Sequence, residues 1–88
     1  QALQFFEDET KLFEELFEDY PQNVAFKNGL AISYYKLGHW YQKNRDPEKA
    51  RFYYSQAADL WEALRRDFPH YVEFQRNYEI IQKLLSEL

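Results

Sequence analysis

The sequence repeats itself at an interval of 48 residues, and no other feature constrains the fold as strongly. Shifting the chain by 48 positions makes ten of the 40 overlapping positions identical. The identical pairs are Ala2/Ala50, Leu12/Leu60, Glu14/Glu62, Leu16/Leu64, Asp19/Asp67, Pro21/Pro69, Val24/Val72, Phe26/Phe74, Ile32/Ile80 and Leu37/Leu85. An interval of this size is typical of helical repeats, in which each unit buries its apolar face on its neighbours.

Three prolines divide the chain into four segments with helical periodicity. Pro21, Pro47 and Pro69 mark the divisions, and apolar residues recur between them at spacings of three and four. Asp46 before Pro47 signals a helix start, because aspartate caps a first turn and proline suits the first helical position. We expect helices over 1–20, 23–43, 47–67 and 72–88. No segment alternates long enough for a strand, so the sequence predicts an all-α fold.

The first helix shows the clearest apolar stripe. Leu3, Phe6, Phe13, Phe17 and Tyr20 follow one another at helical spacing, and Leu12 and Leu16 widen the stripe. We expect this stripe to be buried. We expect the acidic residues on the opposite side, which include Glu14, Glu15 and Glu18, to form a solvated face.

Composition removes several classes of function. Without cysteine the chain has no disulfide, cysteine-ligated zinc or thiol catalysis. Fifteen acidic and 11 basic side chains give a net charge of −4, which disfavours general nucleic-acid or membrane-surface binding. No apolar run approaches the roughly 18 residues of a transmembrane helix, so we expect a soluble, cytoplasmic module. Methionine is absent even at position 1, which predicts an excised or processed fragment.

No arrangement of residues predicts catalysis. The histidines, His39 and His70, lie 31 positions apart with no other ligand at metal-binding spacing. The serines lack a nucleophile elbow, and no glycine-rich loop suggests phosphate binding. The sequence therefore predicts neither an enzyme nor a metal or cofactor site.

Charge is unevenly distributed along the chain. Residues 1–22 carry a net charge of −6, whereas residues 23–45 carry +4 with no acidic side chain. Pairing between the acidic first helix and the basic second helix is therefore expected, although an exposed pair contributes only about 0–1 kcal/mol.

Residues of the second and third helices resemble a known repeat signature. Tyr34-x-x-Leu37-Gly38-x-x-Tyr41, followed by Ala50, Tyr54 and Ala57, is similar to the consensus of the tetratricopeptide repeat. The small residues Gly38, Ala50 and Ala57 suit a close approach of two antiparallel helices. The period of 48 exceeds the usual 34 of that family, and Glu9 and Ser86 replace a small residue and a glycine in the flanking units.

The resemblance implies a short right-handed αα solenoid. Residues 23–67 would form one full, elongated repeat, residues 1–20 the second helix of a preceding repeat, and residues 70–88 the first helix of a following one. In that family the first helix of each repeat lines a concave groove that binds peptides. Members that clamp a peptide carboxylate use lysine and asparagine at groove positions that here hold Tyr35 and His39, so this activity is not carried over.

A groove on the second and fourth helices is the predicted binding site. Its expected residues are Asn28, Ile32, Tyr35, Lys36, His39 and Lys43 on the second helix, with Arg76, Ile80, Lys83 and Glu87 beside them on the fourth. Mixed aromatic, amide and cationic groups suit an extended or helical peptide. The sequence therefore predicts a protein-interaction module with a preference for acidic segments.

Two other functions stay open at this point. The segment could be a structural spacer within a longer solenoid, or a regulatory arm of a multidomain signalling protein or enzyme whose catalytic domain lies outside these residues. The apolar residues of the end helices also predict that the isolated chain self-associates, either end to end or by packing of two first helices.

Overall fold

The computed structural model describes residues 2–88 and contains four α-helices joined by short turns. They are α1 (Ala2–Asp19), α2 (Val24–Lys43), α3 (Pro47–Asp67) and α4 (Val72–Ser86). No strand occurs in these residues, and the predicted all-α class is confirmed. The helix ends lie within two residues of those expected from the sequence, the largest difference being α4, which ends at Ser86.

Local capping explains where the central helices begin. The Asn23 side chain accepts a hydrogen bond from the Phe26 N–H (3.0 Å), and the Asp46 side chain accepts one from the Lys49 N–H (3.2 Å). Both bonds satisfy amide donors that a first helical turn leaves without partners. Between α2 and α3, Arg45 adopts a φ of 64° within the short turn at residues 44–46.

The helices form an open row. Each helix packs on the helices next to it in the chain. The Cα positions extend over 35 × 27 × 15 Å. A 20-residue helix is about 30 Å long, so the longest dimension is close to the length of one helix. A closed bundle would return α4 to α1, whereas here these helices lie at opposite ends of the row.

Backbone contacts recur at the 48-residue interval of the sequence. At the end of α1, the Tyr20 N–H donates to the Leu16 carbonyl (2.9 Å) and the Asn23 N–H donates to the Tyr20 carbonyl (3.0 Å). At the end of α3, Phe68 donates to Leu64 (2.8 Å) and Tyr71 donates to Phe68 (3.1 Å) in the same way. The two turns therefore have the same hydrogen-bond pattern.

Side-chain contacts recur as well. In the first hairpin Phe13 packs on Gly29, and the Lys27 ammonium lies 6.0 Å from the centre of the Phe17 ring. At the equivalent positions of the second hairpin, Trp61 and Asn77 line one cleft, and Arg65 donates to Gln75 (3.4 Å). The hairpins α1–α2 and α3–α4 are thus built in the same register.

The core is centred on α3. It buries six residues of α3, whereas α1 buries only Thr10. The buried apolar residues are Leu30, Ala31, Leu37, Ala50, Tyr54, Ala57, Ala58, Trp61, Leu64, Phe74 and Ile81.

Part of the stripe expected to be buried on α1 is exposed. Leu12 is 53% exposed and Tyr20 59% exposed, so the prediction was wrong for these two residues. The physical reason is that α1 has a neighbouring helix on one side only. Its contact with α2 is made by Phe13, which covers Gly29, and by Glu9, which pairs with Lys36. The buried Thr10 hydroxyl is satisfied within α1, where it donates to the Phe6 carbonyl (2.7 Å).

The residues of the repeat signature surround the contact between α2 and α3. Leu37, Gly38, Ala50, Tyr54 and Ala57 are buried, and a Cβ placed on Gly38 would lie 2.5 Å from Tyr54 Cδ1. Tyr34 and Tyr41 are half-buried, with their rings stacked on Tyr53 at 6.1 and 5.7 Å. No side chain larger than hydrogen fits at Gly38 without movement of one helix.

Candidate functional site

Two clefts lie side by side along α2 and share one residue, Tyr35. The first, which we call the Trp61 cleft, has a volume of about 320 Å³. It lies between α2 and α4 with α3 at its floor, and its lining residues are Ile32, Tyr35, Trp61, Asn77 and Ile80. None of these side chains is charged, and Ile80 is 46% exposed, so the cleft offers an open apolar surface.

The second cleft, which we call the Lys43 cleft, lies between α2 and the first turns of α1. Its volume is about 280 Å³, and its lining residues are Ala2, Phe6, Tyr35, Lys36, His39, Trp40 and Lys43. The lining contains two lysines and no carboxylate. His39 and Lys43 are exposed, so the rim of this cleft is basic and aromatic.

Tyr35 is held in place between the clefts by three aromatic neighbours. Its ring stacks on His39 at 6.1 Å and an interplanar angle of 17°, and it contacts Tyr54 at 6.0 Å and Trp61 at 6.4 Å. Tilted and offset ring contacts of this kind add about 0.5–1.5 kcal/mol each beyond the area that they bury. The ridge between the clefts is therefore rigid.

Hydrogen bonds fix the floor of the Trp61 cleft. Trp61 donates from its indole N–H to Asn28 Oδ1 (2.9 Å), and the Tyr54 hydroxyl donates to Gln42 Oε1 (2.7 Å). Asn28 was expected to contact a ligand directly, but in the structure its amide oxygen positions Trp61. A preorganised apolar floor binds a ligand with little loss of side-chain freedom.

Lys36 is engaged by α1. Its ammonium lies 3.3 Å from Glu9 Oε1, so part of its charge is neutralised within the chain. This contact is an ion pair between the acidic first helix and the basic second helix. Because Lys36 is paired, Lys43 and His39 are the residues of the cleft that are left to attract an acidic ligand.

The fourth helix contributes different residues from those predicted. Asn77 and Ile80 line the Trp61 cleft, whereas Arg76 lines a separate cleft of about 490 Å³ with Arg65 and Tyr71. Lys83 is exposed and lines neither α2 cleft, and Glu87 is likewise exposed. The rotation of α4 about its own axis explains this difference. Because Phe74 and Ile81 are buried against α3, Asn77 is turned towards α2.

Sequence reasoning missed five contributors to the clefts, which are Ala2, Phe6, Trp40, Trp61 and Asn77. Phe6 was assigned to the buried stripe of the first helix, and the other four were not predicted to line a groove. The 48-residue repeat carried a signal for Asn77, because its equivalent, Gly29, lies where the helices of the first hairpin approach most closely. No comparable signal marks Trp40.

The phenols beside the clefts stay protonated at neutral pH. Burial raises the pKa of Tyr54 to about 12, with a smaller contribution from the nearby Tyr35. Burial also raises the pKa of Tyr34, and the hydrogen bond that its hydroxyl donates to Glu14 (2.7 Å) adds to the effect. That bond places Glu14 at the α1–α2 contact, although the sequence assigned it to a purely solvated face.

Neither a metal-binding cluster nor a membrane-spanning helix occurs in residues 2–88. No three histidine or carboxylate side chains lie close enough together to hold a metal ion. None of the four helices in this range combines the length and apolarity needed to cross a bilayer.

Comparisons with protein-family models, curated proteins and solved structures gave no match. The resemblance to the tetratricopeptide repeat is therefore carried by the signature residues of the chain itself.

Proposed function

We propose that this chain is a protein-interaction module of the tetratricopeptide repeat type, and not an enzyme, which binds a short peptide along α2. An apolar side chain of the peptide occupies the Trp61 cleft, and an acidic group lies at the Lys43 cleft. The observation that carries the proposal is the position of Tyr35, which joins an uncharged cleft to a basic one.

The Trp61 cleft suits one large apolar side chain. Its volume of about 320 Å³ falls at the lower end of the range for ligand pockets, roughly 300–1,000 Å³. The Trp61 ring is only 3% exposed, and its indole N–H is already satisfied by Asn28. Binding there buries carbon against the indole ring, whose N–H stays paired with Asn28.

The Lys43 cleft supplies the preference for acidic segments. His39 and Lys43 stand at its exposed rim, and the cleft has no acidic side chain in its lining. A peptide carboxylate there gains an attraction that depends on ionic strength, since exposed charges are screened over about 8–10 Å. Lys36 has a smaller role than the sequence suggested, because Glu9 already neutralises part of its charge.

The test is a titration of the 88-residue chain with short peptides that pair one leucine or phenylalanine with an aspartate or glutamate. Binding is followed by NMR through the indole signal of Trp61. We expect Lys43→Glu to weaken binding at least tenfold, whereas Lys83→Glu, a matched exposed lysine outside both clefts, leaves it unchanged. Ile80→Ser should also weaken binding, and Val72→Ser, at another exposed residue of α4, should not.

Two results would contradict the proposal. If no peptide of the set perturbs Trp61, α2 does not bind peptides of this chemistry and a spacer role is the better explanation. If peptides bind but the affinity is independent of salt and of Lys43→Glu, the Lys43 cleft does not select acidic ligands.

A further inference from the structure

The outer face of α1 is an exposed apolar surface separate from the α2 clefts. We define it by Phe5, Leu12 and Leu16, which follow one another at helical spacing. Phe5 is 62% exposed and Leu12 is 53% exposed, while Leu16 is half-buried. Two large apolar side chains that point away from the chain's own core indicate a surface that is covered by something else.

The internal repeat shows how this face is used elsewhere in the same chain. Phe5 and Leu12 are equivalent to Tyr53 and Leu60 of α3, since each pair lies 48 positions apart. Tyr53 stacks on two tyrosines of α2, and Leu60 lines a cleft with Leu30 of α2. Two residues with which α3 holds α2 therefore have exposed apolar equivalents on α1, whereas Tyr54 and Ala57 correspond to Phe6 and Glu9, which already contact or border α2.

Charge specifies what kind of helix fits. Asp8, Glu15 and Asp19 lie one helical turn or two from Leu12 along the same side of α1, and all three are exposed. Lys11 lies between Asp8 and Glu15 and is also exposed, so the edge stays acidic with three carboxylates against one ammonium. On α3 the equivalents of Asp8 and Glu15 are Gln56 and Ala63, so the acidic edge is particular to α1. The helix that packs on the equivalent surface of α3 is α2. Its segment, residues 23–45, has a net charge of +4 and no acidic residue.

We propose that the outer face of α1 binds a basic amphipathic helix, packed on α1 as α2 packs on α3. Such a helix presents aromatic and aliphatic side chains and a small residue on one face, with lysines beside them. The acidic edge of α1 then steers and orients it, because complementary charge raises association rates and fixes register.

A second copy of the chain is a poorer occupant. Its α2 is already enclosed between α1 and α3. In α2, Tyr34 and Gly38 face α3. The equivalent residues of α4 are Gln82 and Ser86. Two α1 helices packed antiparallel through their outer faces would bring the acidic edges of both together.

The probe for this site is a synthetic peptide of residues 23–45, which carries the α2 surface and its four basic residues. We expect it to bind the intact 88-residue chain with one-to-one stoichiometry by calorimetry, with NMR shifts at Phe5 and Leu12. Leu12→Ser should weaken binding about tenfold, since the leucine loses the burial that the peptide provides. Phe52→Ser, at a residue of α3 that is 57% exposed and outside the face, should bind like the unaltered chain.

Three outcomes would overturn the proposal. Equal binding to the Leu12→Ser and Phe52→Ser variants would mean that the peptide binds elsewhere, for instance by replacing α2. If a peptide with its three lysines changed to glutamate binds as tightly as the unaltered peptide, the acidic edge has no role in binding. If sedimentation shows that the chain alone is a dimer and that the Leu12→Ser variant is a monomer, the face binds a second copy of the chain.

Discussion

The helices α1 and α3 carry leucines at equivalent positions but bury them to different extents. In α1, Leu12 is largely exposed and Leu16 is half-buried. In α3, the equivalent Leu60 is half-buried and Leu64 is completely buried. The difference lies in the neighbours, because α3 has a helix on both sides and α1 on one. Burial in this fold therefore depends on a residue's place in the row as much as on the apolar pattern of its own helix.

The largest expected effect comes from shortening the equivalent leucines. Leu64→Ala should lower the free energy of unfolding by about 2–5 kcal/mol, as is typical when a fully buried leucine leaves a cavity. Leu16→Ala should cost roughly half as much or less, since Leu16 is in contact with water already. Chemical denaturation of both variants measures the difference, and equal losses would show that α1 is covered as fully as α3.

The two helical glycines offer the next comparison. A Cβ at Gly38 meets the ring of Tyr54, which is completely buried and hydrogen-bonded, whereas a Cβ at Gly29 meets Phe13 on α1, which has room to move outward. Gly38→Ala should destabilise the chain by about 1–2 kcal/mol through overpacking. Gly29→Ala should cost less than that, because Phe13 is partly exposed whereas Tyr54 is buried; helix propensity favours alanine by about 1 kcal/mol at both positions. Thermal melting of the two variants would contradict this if Gly29→Ala proved the more harmful.

Alkaline pH should weaken the α2–α3 contact. The pKa of Tyr54 is raised from its ordinary value near 10 to about 12, so its contribution to stability is complete below pH 10 and is lost as the pH rises towards 12. Between pH 8 and pH 11 we expect a loss of about 1 kcal/mol from this residue. In Tyr54→Phe the decline should be correspondingly shallower, and an unchanged slope in denaturation curves would show that Tyr54 does not titrate with unfolding.

The smallest effect concerns an ion pair that only the first hairpin has. Glu9 and Lys36 form it, and the equivalent positions of the second hairpin hold Ala57 and Leu84. Replacing the first pair by the second, Glu9→Ala with Lys36→Leu, should change stability by less than about 1 kcal/mol, because a partly exposed pair contributes little. If the free energy of unfolding falls by well over about 1 kcal/mol, the ion pair contributes more to stability than a partly exposed pair usually does.

The parts of the fold that could be predicted from the sequence depend on local signals. Asn23 and Asp46 cap their helices through their own side chains. Pro47 begins α3, and Pro21 and Pro69 lie just beyond the ends of α1 and α3, so the helix bounds could be predicted from these residues. The 48-residue repeat of the sequence is also present in the structure. The turns that follow α1 and α3 have the same pattern of backbone hydrogen bonds.

The parts that could not be predicted depend on how each helix is rotated against its neighbour. Thr10, and no apolar residue, is the buried residue of α1, and Phe13 is the residue that covers Gly29 of α2. The small residues Gly29 and Ser33, four positions apart on α2, were an available signal for that close approach. Arg76 and Lys83 were placed in the groove by spacing along α4, but the burial of Phe74 and Ile81 turns that helix so that other residues line the cleft.

Native-state hydrogen exchange tests the central claim most directly, namely that α1 is held on one side and α3 on two. The identical residues Leu12/Leu60, Glu14/Glu62 and Leu16/Leu64 provide matched amides in the two helices. In a dilute, monomeric sample we predict that the amides of α1 exchange on the order of tenfold faster or more, because α1 can open without α3. Equal protection of α1 and α3 under these conditions would contradict the open row and require a second helix against the outer face of α1.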